Sequence, residues 1–323
     1  GFCKLGGYRA YWIGTLVKWL LIYNAATGRN PLRDFPLARK ILNDPIWESM
    51  PTRMDSQQDT RSQNYWGYGK AILHLLSQEE RGAFLWYESD PKVDENRWRW
   101  TTGNIGPSFL FCVYQDDLPF GEPSWTSFFS PSGESFVLRS SWNVKADWLF
   151  FKCFNYSVPS HRCMLHNDNM SFEFYTKGDY VLSDGGEVRS RMVGYGPEYA
   201  SGHNTLLVDG KGPVKENIEK EPFRFVNPAY FINHSIEDWL PFCEAEMLIK
   251  EVELRTYKTV VGKARASSEA SEGDRNSRAL VEPVLWKRAL IHPSEGYLIV
   301  VDSLSSGGLH NYELLFHLSL IHI

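Results

Sequence analysis

Residues 171–176, SFEFYT, alternate polar and apolar side chains, Lys177-Gly178 follow, and 179–184, DYVLSD, run on behind them. Two such runs around a two-residue, glycine-bearing turn are the pattern of a β-hairpin. No other stretch constrains the chain as strongly, because a hairpin fixes which residues share its open end. His166 stands before the first run and Asp184 closes the second. Folding back brings these two positions to one end of the sheet. His203 precedes a third strand, 204–209, which Gly210 bounds. If that strand starts at the same end, two imidazoles and one carboxylate converge. Such a set suits a zinc ion and leaves a fourth position open.

The hairpin sits in the second of two differently patterned regions. Before it, 11–26 reads as an aromatic-rich helix with Gly28 as its stop and Pro31 beyond. Helix is expected to continue through 37–42, with a second amphipathic stretch over 65–76. Ser77 and Glu80 have the spacing of a capping box and predict a further helix to about Tyr87. A short helix is expected over 108–114. The composition changes at 119–131, and from Glu134 onwards strands dominate. They are expected at 135–141, 148–154, 171–176, 179–184, 204–208, 244–259 with a break, 281–291, 297–302 and 311–319. Short strands with polar or glycine-bearing turns argue for an antiparallel β-sandwich. Residues 267–277 lack large apolar side chains and read as an exposed loop. The fold class that follows is α+β and multidomain, a helical part followed by an antiparallel β-sandwich. The boundaries are 1–118 for the helical part, 119–134 for a linker and 135–323 for the sandwich.

Composition narrows the function. The net charge is −5, and the chain carries no basic stripe, so nucleic acid is not an expected partner. No signal peptide or membrane-spanning segment is read. The start GFCKLGG has no Met and the end LSLIHI reads as an interrupted strand, which suggests part of a longer chain. The five cysteines are odd in number and lack metal-type spacing. Asn155, Asn169 and Asn233 each begin a glycosylation sequon. Twelve Trp residues supply either sugar-stacking platforms or an aromatic core. Trp98 and Trp100 alternate with Arg97 and Arg99 in the long segment 89–104. That pattern suits an anionic sugar, and equally a surface loop pinned by its aromatics.

The stretch HNDNMSFEFYTKGDYVLSDGG, followed downstream by GHNTLLVDG, resembles the signature region of the heparinase II/III-like polysaccharide lyases, a group that includes alginate lyases and a uronate epimerase branch. The tail VLWKRALIHPSEGYLIVVDSLSSGGLHNYELLFHLS is similar to the same family, and the resemblance covers roughly 135–319. It implies an (α/α) toroid ahead of the sandwich, of which 1–118 would be only the last helices. It also implies that His166, Asp184 and His203 hold zinc, with Asp168 and Asn204 orienting the imidazoles. The substrate implied is an acidic, uronate-containing polysaccharide, cleaved by β-elimination. Alternatives are a uronate C5-epimerase or a non-catalytic carbohydrate-binding relative on the same scaffold.

The resemblance further implies a proton-transferring Tyr near a glycine-rich helix entry, a slot that Tyr11 or Tyr8 would fill. Aromatic packing inside the helices is the other reading of both. Tyr195, Tyr199 and Arg162 are candidates to meet the sugar, with Trp98 and Trp100. Arg189 and Arg191 could pair with a carboxylate or sulfate. In one place the chain departs from the family: Met164 stands where the family carries the first His of a His-x-His pair, and a thioether moves no protons. A periplasmic or extracellular location is the family's expectation.

Overall fold

The structure, a computed structural model, describes residues 6–53, 69–88, 121–130, 133–155, 167–184, 199–214, 216–217, 224–236, 239–253 and 277–319; in places, 6–13 among them, it describes the backbone alone. The chain divides into two compact units, Gly1–Thr126 and Ser127–Ile323.

The first unit is helical where described. Helix α1 spans Gly6–Thr27, α2 Pro31–Asp34, α3 Pro36–Glu48 and α4 Gln78–Glu88. Gly28 ends α1 at φ 66°, a left-handed conformation that glycine adopts without a Cβ penalty. Asn30 then caps α2 by accepting from the Leu32 amide at 2.9 Å. The Ser77–Glu80 box closes in both directions. The Ser77 amide donates to Glu80 Oε2 at 2.9 Å and the Glu80 amide to Ser77 Oγ at 3.3 Å. The amphipathic stretch expected at 65–76 is, where described, a tighter 3-10 helix, Gly69–Leu75. Leu20, Leu42, Ile72, Phe84 and Tyr87 are among this unit's buried apolar residues. The expected helix at 108–114 lies outside the described residues.

The second unit is built of antiparallel strands. A five-stranded meander runs in the order β1 Phe128–Phe129, β2 Ser135–Arg139, β3 Trp148–Lys152, β4 Phe172–Thr176 and β5 Asp179–Leu182. A second sheet has the order β12 Tyr297–Ser306, β11 Ser277–Ser294, β10 Phe242–Glu253 and β9 Ala229–Ser235. Strand β6 Leu206–Val208 pairs with β13 Tyr312–Leu314, and β7 Glu216–Asn217 with β8 Arg224–Phe225. Phe136, Phe151 and Phe172 of the first sheet share one buried core with Met247, Ile249 and Trp286 of the second. That is the arrangement of two packed sheet layers.

Several strand expectations change. Residues 229–235 form β9, which was not expected; its alternation is broken by Asn233 and His234. Strand β11 starts at Ser277, where a loop was expected, and runs past Ile291 to Ser294. Strand β4 is buried on both faces rather than half-buried. Its polar face is covered from within the domain: the Tyr175 hydroxyl donates to the Val144 carbonyl at 2.6 Å. Alternation identifies the apolar face, but it carries no information on whether the other face meets water.

Candidate functional site

The hairpin turns at Lys177 and Gly178, both at positive φ (55° and 95°), as a two-residue turn matching strand twist requires. Its open end therefore lies where β4 begins and β5 ends. There the Asp184 carboxylate meets the His203 imidazole, whose Nδ1 stands 2.8 and 2.9 Å from the two carboxylate oxygens. Both side chains are fully buried. The Ser171 hydroxyl donates to Asp184 Oδ2 at 3.3 Å and accepts from the Asn204 amide at 3.1 Å.

Strand β6 is not paired with the hairpin. The segment 311–319 joins them. It pairs with β6 through β13, then runs along the end of β5 through a Leu182–Leu318 bridge. The Ser183 amide donates to the His317 carbonyl at 2.9 Å, and the His317 amide donates to Asn204 Oδ1 at 2.6 Å. The Asn204 Nδ2 spans the mouth of the hairpin, donating to the Phe172 carbonyl at 2.8 Å and the Ser183 carbonyl at 2.9 Å. Its amide is spent on backbone groups, so it holds the strands in register rather than an imidazole.

Two residues that sequence reasoning passed over complete the scaffold. Arg288, on β11, is fully buried. Its Nη1 donates to the Asn204 carbonyl at 2.7 Å and the Met170 carbonyl at 3.0 Å, while Nε and Nη2 pair with Asp302 at 2.8 and 3.1 Å. Burial draws its pKa down and the Asp302 carboxylate pulls it back up. His317 lies within electrostatic reach of both Asp184 and His203. Burial lowers its pKa, the Asp184 charge raises it and His203 lowers it again. His317 stands within the family-like tail, but nothing local in the sequence ties it to Asp184.

Of the other residues singled out by sequence, Asp168 forms a buried ion pair with Lys152 at 2.8 Å. Tyr199 is half-buried at the entry to the 3-10 turn Ala200–Gly202, which leads directly into His203. Asn167 donates to Glu253 at 2.9 Å. The sequon at Asn169 is closed, because that side chain is buried and bonds the Phe154 and Asn227 carbonyls. His166, Arg162, Tyr195, Trp98, Trp100, Arg189 and Arg191 lie outside the described residues. Tyr8 and Tyr11 fall on the backbone of α1, and their side chains lie outside them too. Cys153 and Cys243 are buried thiols whose pKa values burial pushes well up.

The donors present fit zinc in kind, an imidazole nitrogen and a carboxylate oxygen brought together out of water. Among the described residues no group of three such side chains is assembled, and the third implied ligand, His166, is outside them.

A buried Asp–His pair at the mouth of a hairpin, stitched by the segment 311–319 within two packed antiparallel sheets, defines a β-domain with a constructed polar site. The model of the heparinase II/III-like C-terminal domain matches residues 123–321. The chain belongs to that family. A heparinase III with methylated lysines is similar to it in structure at 17% identity and a TM-score of 0.53, over 95% of this chain and 38% of that one. The heparan sulfate lyase HepC from Pedobacter heparinus is similar at 14% identity and a TM-score of 0.46, over 90% of this chain and 38% of that one. The chain thus spans little more than a third of either protein's length. No curated protein sequence matches it. Among the described residues no helix is long and apolar enough to cross a membrane.

Proposed function

We propose that this chain is part of a polysaccharide lyase that cleaves an acidic, uronate-containing polysaccharide by β-elimination, with zinc held by His166, Asp184 and His203. Family membership supports the lyase class. The observation that carries the site is the buried contact of 2.8 Å between Asp184 and His203. Two zinc-type donors 19 residues apart are taken out of water and aimed at one another, which costs free energy that a bound cation or a strong hydrogen bond must offset.

In β-elimination the C5 proton is removed beside a carboxylate, and the O4 leaving group is protonated. Tyr11 or Tyr8 on α1 is assigned the proton transfer, and 1–118 the end of a toroid. Zinc, when bound, would supply a fixed positive charge that organises the loops beneath the sugar. The chain's own groups set those loops. Ser171 and Asn204 hold the hairpin mouth, Arg288 ties the Met170 and Asn204 carbonyls, and Tyr199 leads the chain into His203. A location outside the cytoplasm accords with a polymeric substrate.

The test is elemental analysis of the purified chain, followed by ultraviolet absorbance at the unsaturated uronate band on incubation with heparan, alginate and other uronates. About one zinc per chain, lost in His203→Ala, with new absorbance, is the expected result. Solvent deuterium entering at C5 without cleavage would make the protein an epimerase. Sugar binding with neither change would make it a non-catalytic relative, the reading that Met164 favours. Folded protein without zinc would remove the metal site.

A further inference from the structure

Glu253 closes β10 and is a buried carboxylate that the chemistry above does not use. Its Oε1 accepts from Asn167 Nδ2 at 2.9 Å and from the Ala200 amide at 2.8 Å, and its Oε2 from the Gly212 amide at 3.3 Å. Asn167 follows His166 directly, Ala200 begins the 3-10 turn that delivers His203, and Gly212 lies just beyond β6. One carboxylate therefore grips three separate segments, one following His166, one leading into His203 and one following β6.

The backbone is arranged for that grip. The Glu253 amide donates to the Gly212 carbonyl at 2.9 Å, and Pro213 bridges Val252, so the end of β10 is locked onto the segment after β6. A Cβ on Gly212 would stand 2.0 Å from the Ala200 Cβ and 3.1 Å from Glu253 Oε2. Only glycine lets the chain pass close enough for both amides to reach one side chain. Burying a carboxylate in this way is costly unless its lone pairs are filled.

We propose that Glu253 is the positioning residue of this site: it holds the loop that follows His166 and the loop that delivers His203 at a fixed separation. The proposal rests on the reading of that pair as the functional centre.

The test compares the full chain with Glu253→Gln and with Asp147→Asn, a control at the turn end of the hairpin. Asp147 is likewise buried and accepts three hydrogen bonds, from Thr176, His292 and Gly296. Two readouts are taken: amide exchange over 199–212 in chelator-treated protein, and zinc affinity by chelator competition, with the cobalt(II) visible spectrum as a report on ligand geometry. Glu253→Gln is expected to speed exchange in 199–212 by about tenfold or more beyond the control. It is also expected to weaken zinc binding by about 10- to 100-fold and to alter the cobalt bands. Asp147→Asn lowers global stability and leaves those bands unchanged. Faster exchange in a protein whose wild type takes up no zinc would retain the positioning role and reject the metal reading. Zinc bound normally by Glu253→Gln, with exchange matching the control, would overturn the proposal and leave the metal reading intact. If the Gln variant does not fold, Glu253→Asp, which keeps the charge and shortens its reach, is held to the same outcomes.

Discussion

Gly212 and Ala200 pass so close that a methyl group on Gly212 would lie 2.0 Å from the Ala200 Cβ, well inside van der Waals contact. The neighbour in the way is a short side chain on a buried turn, which has no rotamer to escape into. Gly212→Ala is expected to destabilise the second unit by about 1–3 kcal/mol through overpacking. Gly121, with open space around its Cβ position and no positive φ, is the contrast. Gly121→Ala should stay within about 0.5 kcal/mol of wild type. Urea midpoints for the two variants check this, and equal midpoints would mean that the close approach is absent.

Arg288 binds two carbonyls and one carboxylate with a single planar fork. Lysine carries the charge but not the fork. Arg288→Lys is expected to cost about 3–5 kcal/mol, because Asp302 keeps a buried charge with a poorer partner. The Met170 and Asn204 carbonyls lose their donor as well. Chemical denaturation should show this as a lower midpoint at an unchanged slope. A loss under about 1 kcal/mol would show the fork to be replaceable.

The Ser77–Glu80 box closes the amino end of α4 by side chains alone. Ser77→Ala is expected to cost the helical unit about 1 kcal/mol. Amide exchange over 78–81 should quicken, while exchange in the β-unit stays unchanged. Quickening in both units would mean that they unfold as one.

Asp209 carries a pH dependence with a defined sign. The Asn311 amide at 2.9 Å, and then His310 at 2.8 Å, hold its carboxyl below the ordinary value of 3.8. A depressed folded-state pKa adds stability that is fully present above the unfolded value and is lost as pH falls through the folded one. The stability gap between wild type and Asp209→Asn should therefore be constant near neutrality and narrow below about pH 3.8. Paired urea titrations across pH 2.5–7 read it, and a gap that widens with acid would reverse the assignment. The side chain is largely open to solvent, so the effect is modest.

Local chemistry made much of this fold legible in advance. The Lys177-Gly178 turn, the helix stop at Gly28 and the capping box are each settled within a few residues, and each forms at its expected position. Strand β9 was missed because three polar residues in seven mask its period. The double burial of β4 was missed because the cover over its polar face comes from the loop before β3, which its own pattern does not encode.

The sequence by itself determined the hairpin, the placing of helices ahead of a strand-rich part, and the donor types at Asp184 and His203, since turn chemistry and side-chain alternation act over short spans. Tertiary structure alone decided how those donors meet. The chain closes the site from 113 residues beyond Asn204, with His317 passing between Ser183 and Asn204. Arg288 and Glu253 fill buried polar demands that arise only once the two sheets have packed. A buried carbonyl or carboxylate must find a partner, and that partner is supplied by whichever residue the packed fold brings within reach, at a separation no local pattern records.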